Sequence, residues 1–201
     1  MKINEQLNIA LPIRYDDKGP TLYAYHTPIS REVYEANYRV LAATKSVLSS
    51  KGAHFLMDAG PNIAALTLRD EGRKDAAERG EFDAQGNPLD GGAEALLMEL
   101  RRLTSVVVPS AKGWDTVPVD VALNKAKIDM DEWKEAESAL TFFTCHYAPA
   151  SRKDRERIAQ ATASLLGASA TSSTLTEWID SLTTSTTNVA SDPKAVLSVP
   201  S

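Results

Sequence analysis

Leu7, Ile9, Leu11 and Ile13 alternate with Asn8, Ala10 and Pro12, the period of a strand with one buried face. Pro12 cannot donate to a ladder and places that strand at an edge. Asp16-Asp17-Lys18-Gly19 supplies turn formers, and Thr21 to His26 is a second run rich in aromatic residues, so the segment predicts a β-hairpin. The period then changes to threes and fours. Thr27-Pro28 reads as an N-cap with proline in the first helical position, and Ile29, Val33, Ala36, Val40, Ala43 and Val47 predict a helix over about 28–50. Beside that stripe runs a second one, Tyr34, Tyr38, Leu41, Lys45 and Leu48. Burial on two sides and a core face plus a docking face account for it equally well.

A second helix is predicted from Pro61, apolar at Ile63, Leu66 and Leu68 and then strongly charged. Residues 80–92 carry four glycines and Pro88 and predict a flexible loop. Asp90 caps the next helix, whose stripe Leu96, Leu97, Leu100, Leu103 and Val107 continues to Pro109, followed by a loop holding Gly113, Trp114 and Pro118. A short helix over about 118–125 follows, then one capped by Asp129 with Trp133, Ala136, Leu140, Phe143 and Tyr147 on one face. Ser151 with Asp154 opens a helix reaching Leu166, and Thr174 with Glu177 makes a capping box for a brief helix bearing Leu175, Trp178, Ile179 and Leu182. The expected fold is mainly α (α+β): an N-terminal hairpin packed on five to seven helices in one domain over 1–182. Residues 183–201 lack periodicity and large apolar side chains, and a disordered tail is expected there.

Charge and composition narrow the function. Lys and Arg number 22 against 27 Asp and Glu, a net charge of -5, which is the wrong balance for neutralising many phosphates, so nucleic acid is not an expected partner. No 18-residue apolar run predicts a membrane span. Residues 1–6 lack the apolar core of a signal peptide and Cys145 is the lone cysteine, so a reducing, cytoplasmic setting is expected.

Candidate chemistry is sparse. Phosphate-loop, dinucleotide, nucleophile-elbow and zinc-helix motifs are missing, and His26, His54 and His146 have no metal-ligand spacing. Cys145-His146 is a thiol beside an imidazole, but adjacent helical positions diverge by about 100°, and a packed helix end outweighs a catalytic dyad. Asp16-Asp17 reads as turn chemistry, the acids from Asp129 to Glu137 as a helix N-terminus, and Gly91-Gly92 as a plain cap loop. Arg152 to Arg157 mixes four cations with two acids and reads as a solvated helical face. A non-enzymatic protein without metal or cofactor is expected.

The segments HTPISREVYEANYRVLAATKSVL, GPNIAALTLRD, ALLMELRRLTSVVVPSAKGWDTVPVDVAL and EAESALTFFTCHYA, with the Ser/Thr-rich end, resemble the tail assembly chaperones of long, non-contractile-tailed bacteriophages and prophages. The resemblance spans about residues 3–182, and TPISREV and GWDTVP are its most particular pieces. It implies a protein that coats the tape measure protein before the tail tube polymerises, with a frameshifted longer form recruiting tail tube subunits; this chain would be the unshifted form. It implies action in the cytoplasm of the infected or lysogenic host and absence from the mature virion. Self-association is expected, with Tyr34, Tyr38, Leu41 and Leu48 on the long helix and Leu175, Trp178, Ile179 and Leu182 on the last helix as candidate partner-binding residues. The alternatives are a small phage protein that binds and inhibits a host factor and, behind it, a small cysteine hydrolase using Cys145 and His146.

Overall fold

The computed structural model describes residues 6–111 and 113–182; the tail expected over 183–201 lies outside them. The hairpin forms as predicted. Strand β1 (Asn8–Asp16) pairs antiparallel with β2 (Gly19–His26) across a turn in which Gly19 takes φ 127°, a region open to glycine. It is not the whole sheet. Residues predicted as the end of a helix and a loop form a second hairpin, β3 (Thr104–Ser110) and β4 (Gly113–Pro118), and β5 (Ser169–Thr171) adds beyond β1, in the order β4-β3-β2-β1-β5. The helical stripe therefore stops at Leu103. Val106, Val107 and Val108 are three consecutive β-branched residues that favour a pleated surface, and Val107 finds Tyr23 opposite it on β2. Pro109 lies beyond the β2 pairing, where no donor to that strand is needed. Pro12 likewise sits past the end of β5, which covers only Asn8 to Ala10, so β1 is an edge strand in its second half alone.

Eight helices are present among the described residues, one more than the expected range: α1 (Arg31–Ser50), α2 (Ala53–Asp58), α3 (Gly60–Glu78), α4 (Gly91–Arg102), α5 (Val119–Asn124), α6 (Met130–Tyr147), α7 (Arg155–Leu165) and α8 (Leu175–Ser181). The addition is the single-turn-scale α2. The architecture is α+β, helix-rich with one antiparallel sheet.

Helix α6 is the centre. Asp129 and Glu132 cap it reciprocally, its first half is charged and partly exposed, and Leu140 to Cys145 are buried on every side. Trp133, Leu140 and Phe143 meet the inner sheet face at Ile9, Leu22, Ala24 and Val106, with α5 and α7 closing that core. On its other side, Cys145 joins a second core formed by α1, α3 and α4, including Leu41, Leu68 and Leu100. Buried Thr141 and Thr144 donate their hydroxyls to the carbonyls of Glu137 and Leu140, which satisfies them within the helix. Helices α3 and α4 approach so closely at Gly72 that a Cβ there would lie 2.6 Å from that of Ala93. The outer sheet face, with Ala10, Tyr23, Tyr25, Val107 and Trp114, is covered by α8.

Candidate functional site

Helix α1 starts at Ser30, whose hydroxyl accepts the Val33 amide at 3.2 Å, and not at Thr27. Pro28 disfavours helical backbone at Thr27, and the Thr27 amide is already donated to the Leu103 carbonyl at 2.9 Å. Residues 27–30 therefore run as an extended wall between the sheet and α1. Behind that wall lies a hollow of about 380 Å³, bounded by Ile29 and Tyr34, by Arg102 and Leu103 at the end of α4, and by Tyr147 and Arg155 from α6 and α7. Its surface is mixed: aliphatic and aromatic walls with guanidinium groups at the margin.

This geometry divides the residues expected to bind a partner. Tyr34 lines the hollow, and Tyr38, one turn further on, is 54% exposed. Leu41 and Leu48 are each 1% exposed, packed against α3 and α4 and against Ala64 and Phe142, respectively. The second stripe of α1 is thus core for most of its length, with Tyr34 half-buried beside that core and Tyr38 exposed; Leu41 and Leu48 are corrected from surface to interior. On α8, Trp178 is buried against Tyr23 and Tyr25, with ring centroids 5.1 and 5.5 Å away, while Leu175, Ile179 and Leu182 are partly buried in the same cluster. The Tyr25 hydroxyl and the Asn8 amide both donate to the Ser173 carbonyl, fixing the segment that leads into α8. Both halves of the Thr174–Glu177 capping box form. The α8 quartet covers its own sheet.

Other expectations meet plain geometry. Cys145 is fully buried, which pushes its thiol up to about 12, and His146 donates Nδ1–H to the Phe142 carbonyl at 2.8 Å. The two form a packed helix end. Asp16 accepts the Lys18 amide as a turn residue, and Glu132 is held by Arg14 at 2.6 and 2.7 Å, which lowers its carboxyl below the usual range. Among the described residues no group of three or more His, Cys, Asp or Glu could hold a metal ion, and no helix is long and apolar enough to cross a membrane.

Sequence reasoning missed two features. Met98 on α4 is 70% exposed and lines a second, shallower cleft of about 610 Å³ with Ala95, Pro118 and Val119. It stands outside the buried stripe of α4, and that was its only signal. The other is Arg155: Arg152 and Arg157 are exposed, but Arg155 is half-buried, with its guanidinium carbon over the Tyr147 ring, 5.5 Å from the centroid. The cluster expected to be uniformly solvated is not. No family model, curated protein or solved structure matches the chain.

Proposed function

We propose that this chain is a tail assembly chaperone of a long, non-contractile-tailed phage or prophage, which binds the tape measure protein during tail morphogenesis. The observation that supports the reading is the position of TPISREV, one of the two most particular pieces of the resemblance: Thr27 to Arg31 line the Tyr34 hollow, Ser30 to Glu32 are exposed, and Ile29 and Val33 anchor the segment on the second core. A tape measure protein is long and largely helical, and an amphipathic helix docks by seating apolar anchors one turn apart in a groove. Tyr34 and Tyr38 stand one turn apart beside Ile29 and offer aromatic contact area at low entropic cost. Tail tube subunits bind through a frameshifted longer form, the protein self-associates, and it acts in the host cytoplasm without entering the virion.

Co-expression with a tape measure protein from the same genome tests the reading. The expected result is a soluble complex that elutes together on size exclusion and is lost on Tyr34→Ser together with Tyr38→Ser. A tape measure protein that stays insoluble and separate in the presence of this chain discards the proposal.

A further inference from the structure

We propose that the hollow at the start of α1 receives a carboxylate carried on an apolar stem, with Arg155 as its charge partner. Three arginines border the hollow, and two are already neutralised. Arg102 holds Glu99 through two bonds of 2.7 Å, and Arg31 holds Glu35 at 2.7 Å. Glu99, the one acid lining the hollow, is thereby consumed. Arg155 forms no ion pair among the described residues: Asp154 is engaged by Ser151 and Arg157, and Glu156 pairs with nothing. Its Nε is sealed from solvent without a hydrogen-bond partner, and its guanidinium carbon lies over the Tyr147 ring, 5.5 Å from the centroid.

A guanidinium that has given up water at one donor and sits over an aromatic ring has lost part of its hydration and freedom before any ligand arrives. It therefore presents its remaining donors to an oxyanion at little further entropic cost. The walls beside it are Ile29, Tyr34 and Leu103, which gain nothing from a bare hydrated anion but bury an aliphatic stem. The ligand class is consequently an organic carboxylate: the side chain of an acidic residue in an apolar peptide, or a free aliphatic acid. The inference stands apart from the chaperone reading, since either source satisfies the same chemistry.

Titration of the full-length ¹⁵N-labelled protein at fixed ionic strength with hexanoate, acetate, inorganic phosphate and the capped dipeptide acetyl-Leu-Glu-amide tests it. Hexanoate or the dipeptide is expected to saturate with shifts confined to residues around Thr27, Tyr34 and Arg155, about tenfold more tightly than acetate, the equivalent of two or more buried methylenes. A tighter dipeptide assigns a polypeptide source, and tighter hexanoate a free acid. Arg155→Gln is expected to weaken binding about tenfold, as loss of a charged hydrogen bond does, while Arg157→Gln leaves it unchanged. The spectrum of each variant reports whether it is folded, and Arg155→Lys supplies a second variant that keeps the charge. Phosphate binding as tightly as hexanoate, shifts that never saturate, or an Arg155→Gln titration equal to wild type overturns the proposal.

Discussion

The two faces of the sheet are made by the same strands and closed by very different means. On the inner face, Ile9, Ala24 and Val106 are sealed by Trp133, Leu140 and Phe143 of α6, with α5 and α7 on either side. On the outer face, Ala10, Tyr23, Tyr25 and Val107 are covered by the seven residues of α8, of which only Trp178 is buried. One face is closed by a helix whose residues Leu140 to Cys145 are all buried; the other is closed by a strap hung from Ser173. Cooperativity follows burial, so the inner face is expected to open only when the molecule unfolds, whereas α8 can leave the outer face by itself.

The largest effect that tests this contrast is Phe143→Ala. It leaves a cavity between α6 and the sheet, and a loss of about 3–5 kcal/mol in urea unfolding is expected, with the whole molecule melting as one unit. A loss under about 1 kcal/mol would mean that the inner face is not the cooperative core.

The faces are also expected to fail at opposite ends of the pH scale. His26, fully buried on the inner face, is a donor through Nδ1–H to Thr104 Oγ1 at 2.9 Å, since that hydroxyl is itself donated to the Leu100 carbonyl. Burial pulls its pKa from 6.5 to about 4. The folded state thus resists the proton that the unfolded chain accepts; stability is complete above pH 6.5 and falls as the pH drops towards 4, by up to about 3 kcal/mol. His26→Asn, which keeps a donor and does not titrate, is expected to flatten that part of the stability profile, and a slope unchanged from wild type would assign the acid sensitivity elsewhere. On the outer face, burial raises Tyr25 from 10.0 to about 12. Here the neutral phenol is favoured in the folded state, so stability is complete below pH 10 and about 2–3 kcal/mol is lost as the pH rises to 12. Ionisation also removes the donor to Ser173, so amide exchange within α8 is expected to accelerate before that of α6. Tyr25→Phe should remove the alkaline transition; if it persists, another group holds the strap.

Trp178→Ala is the smallest of these changes. A loss of about 2 kcal/mol is expected, concentrated in α8 and seen as faster amide exchange over 175–181, with the protection of α6 intact. If α6 loses protection equally, the two faces are one cooperative unit.

Much of this organisation was readable along the chain. The Asp129 cap, the Thr174–Glu177 box, the turn at Gly19 and the helix opening at Pro61 all form where the residues predict them, and Glu132 completes the first cap as a box. The second hairpin was not readable. Leu103 and Val107 continue the spacing of Leu96 and Leu100, and a short apolar run fits a buried strand as well as a helix. Val107 becomes strand because Tyr23 offers it a partner 84 positions away in sequence, in the register Tyr23↔Val107. At the candidate site, Tyr34 and Tyr38 stood out as aromatics on the second stripe of α1, yet Leu41 and Leu48 share that second stripe and are buried. Nothing within α1 separates them; α3, α4 and Phe142 of α6 do, by covering the two leucines while Tyr34 stays half-buried beside the same core and Tyr38 is left exposed.

Arg155 shows the same division at one side chain. Its helix and its charged neighbours are written into residues 151–166, because capping and period act over one or two turns. Its partial burial is not, because that depends on Tyr147 lying beneath it after the chain has turned between α6 and α7. Interactions within about four positions of one another are enforced by backbone geometry wherever the segment lies, so the sequence reveals them. Strand pairing, the choice of which half of a stripe is buried, and the loss of water from one guanidinium are set by surfaces that meet only after folding, and those set the Tyr34 hollow.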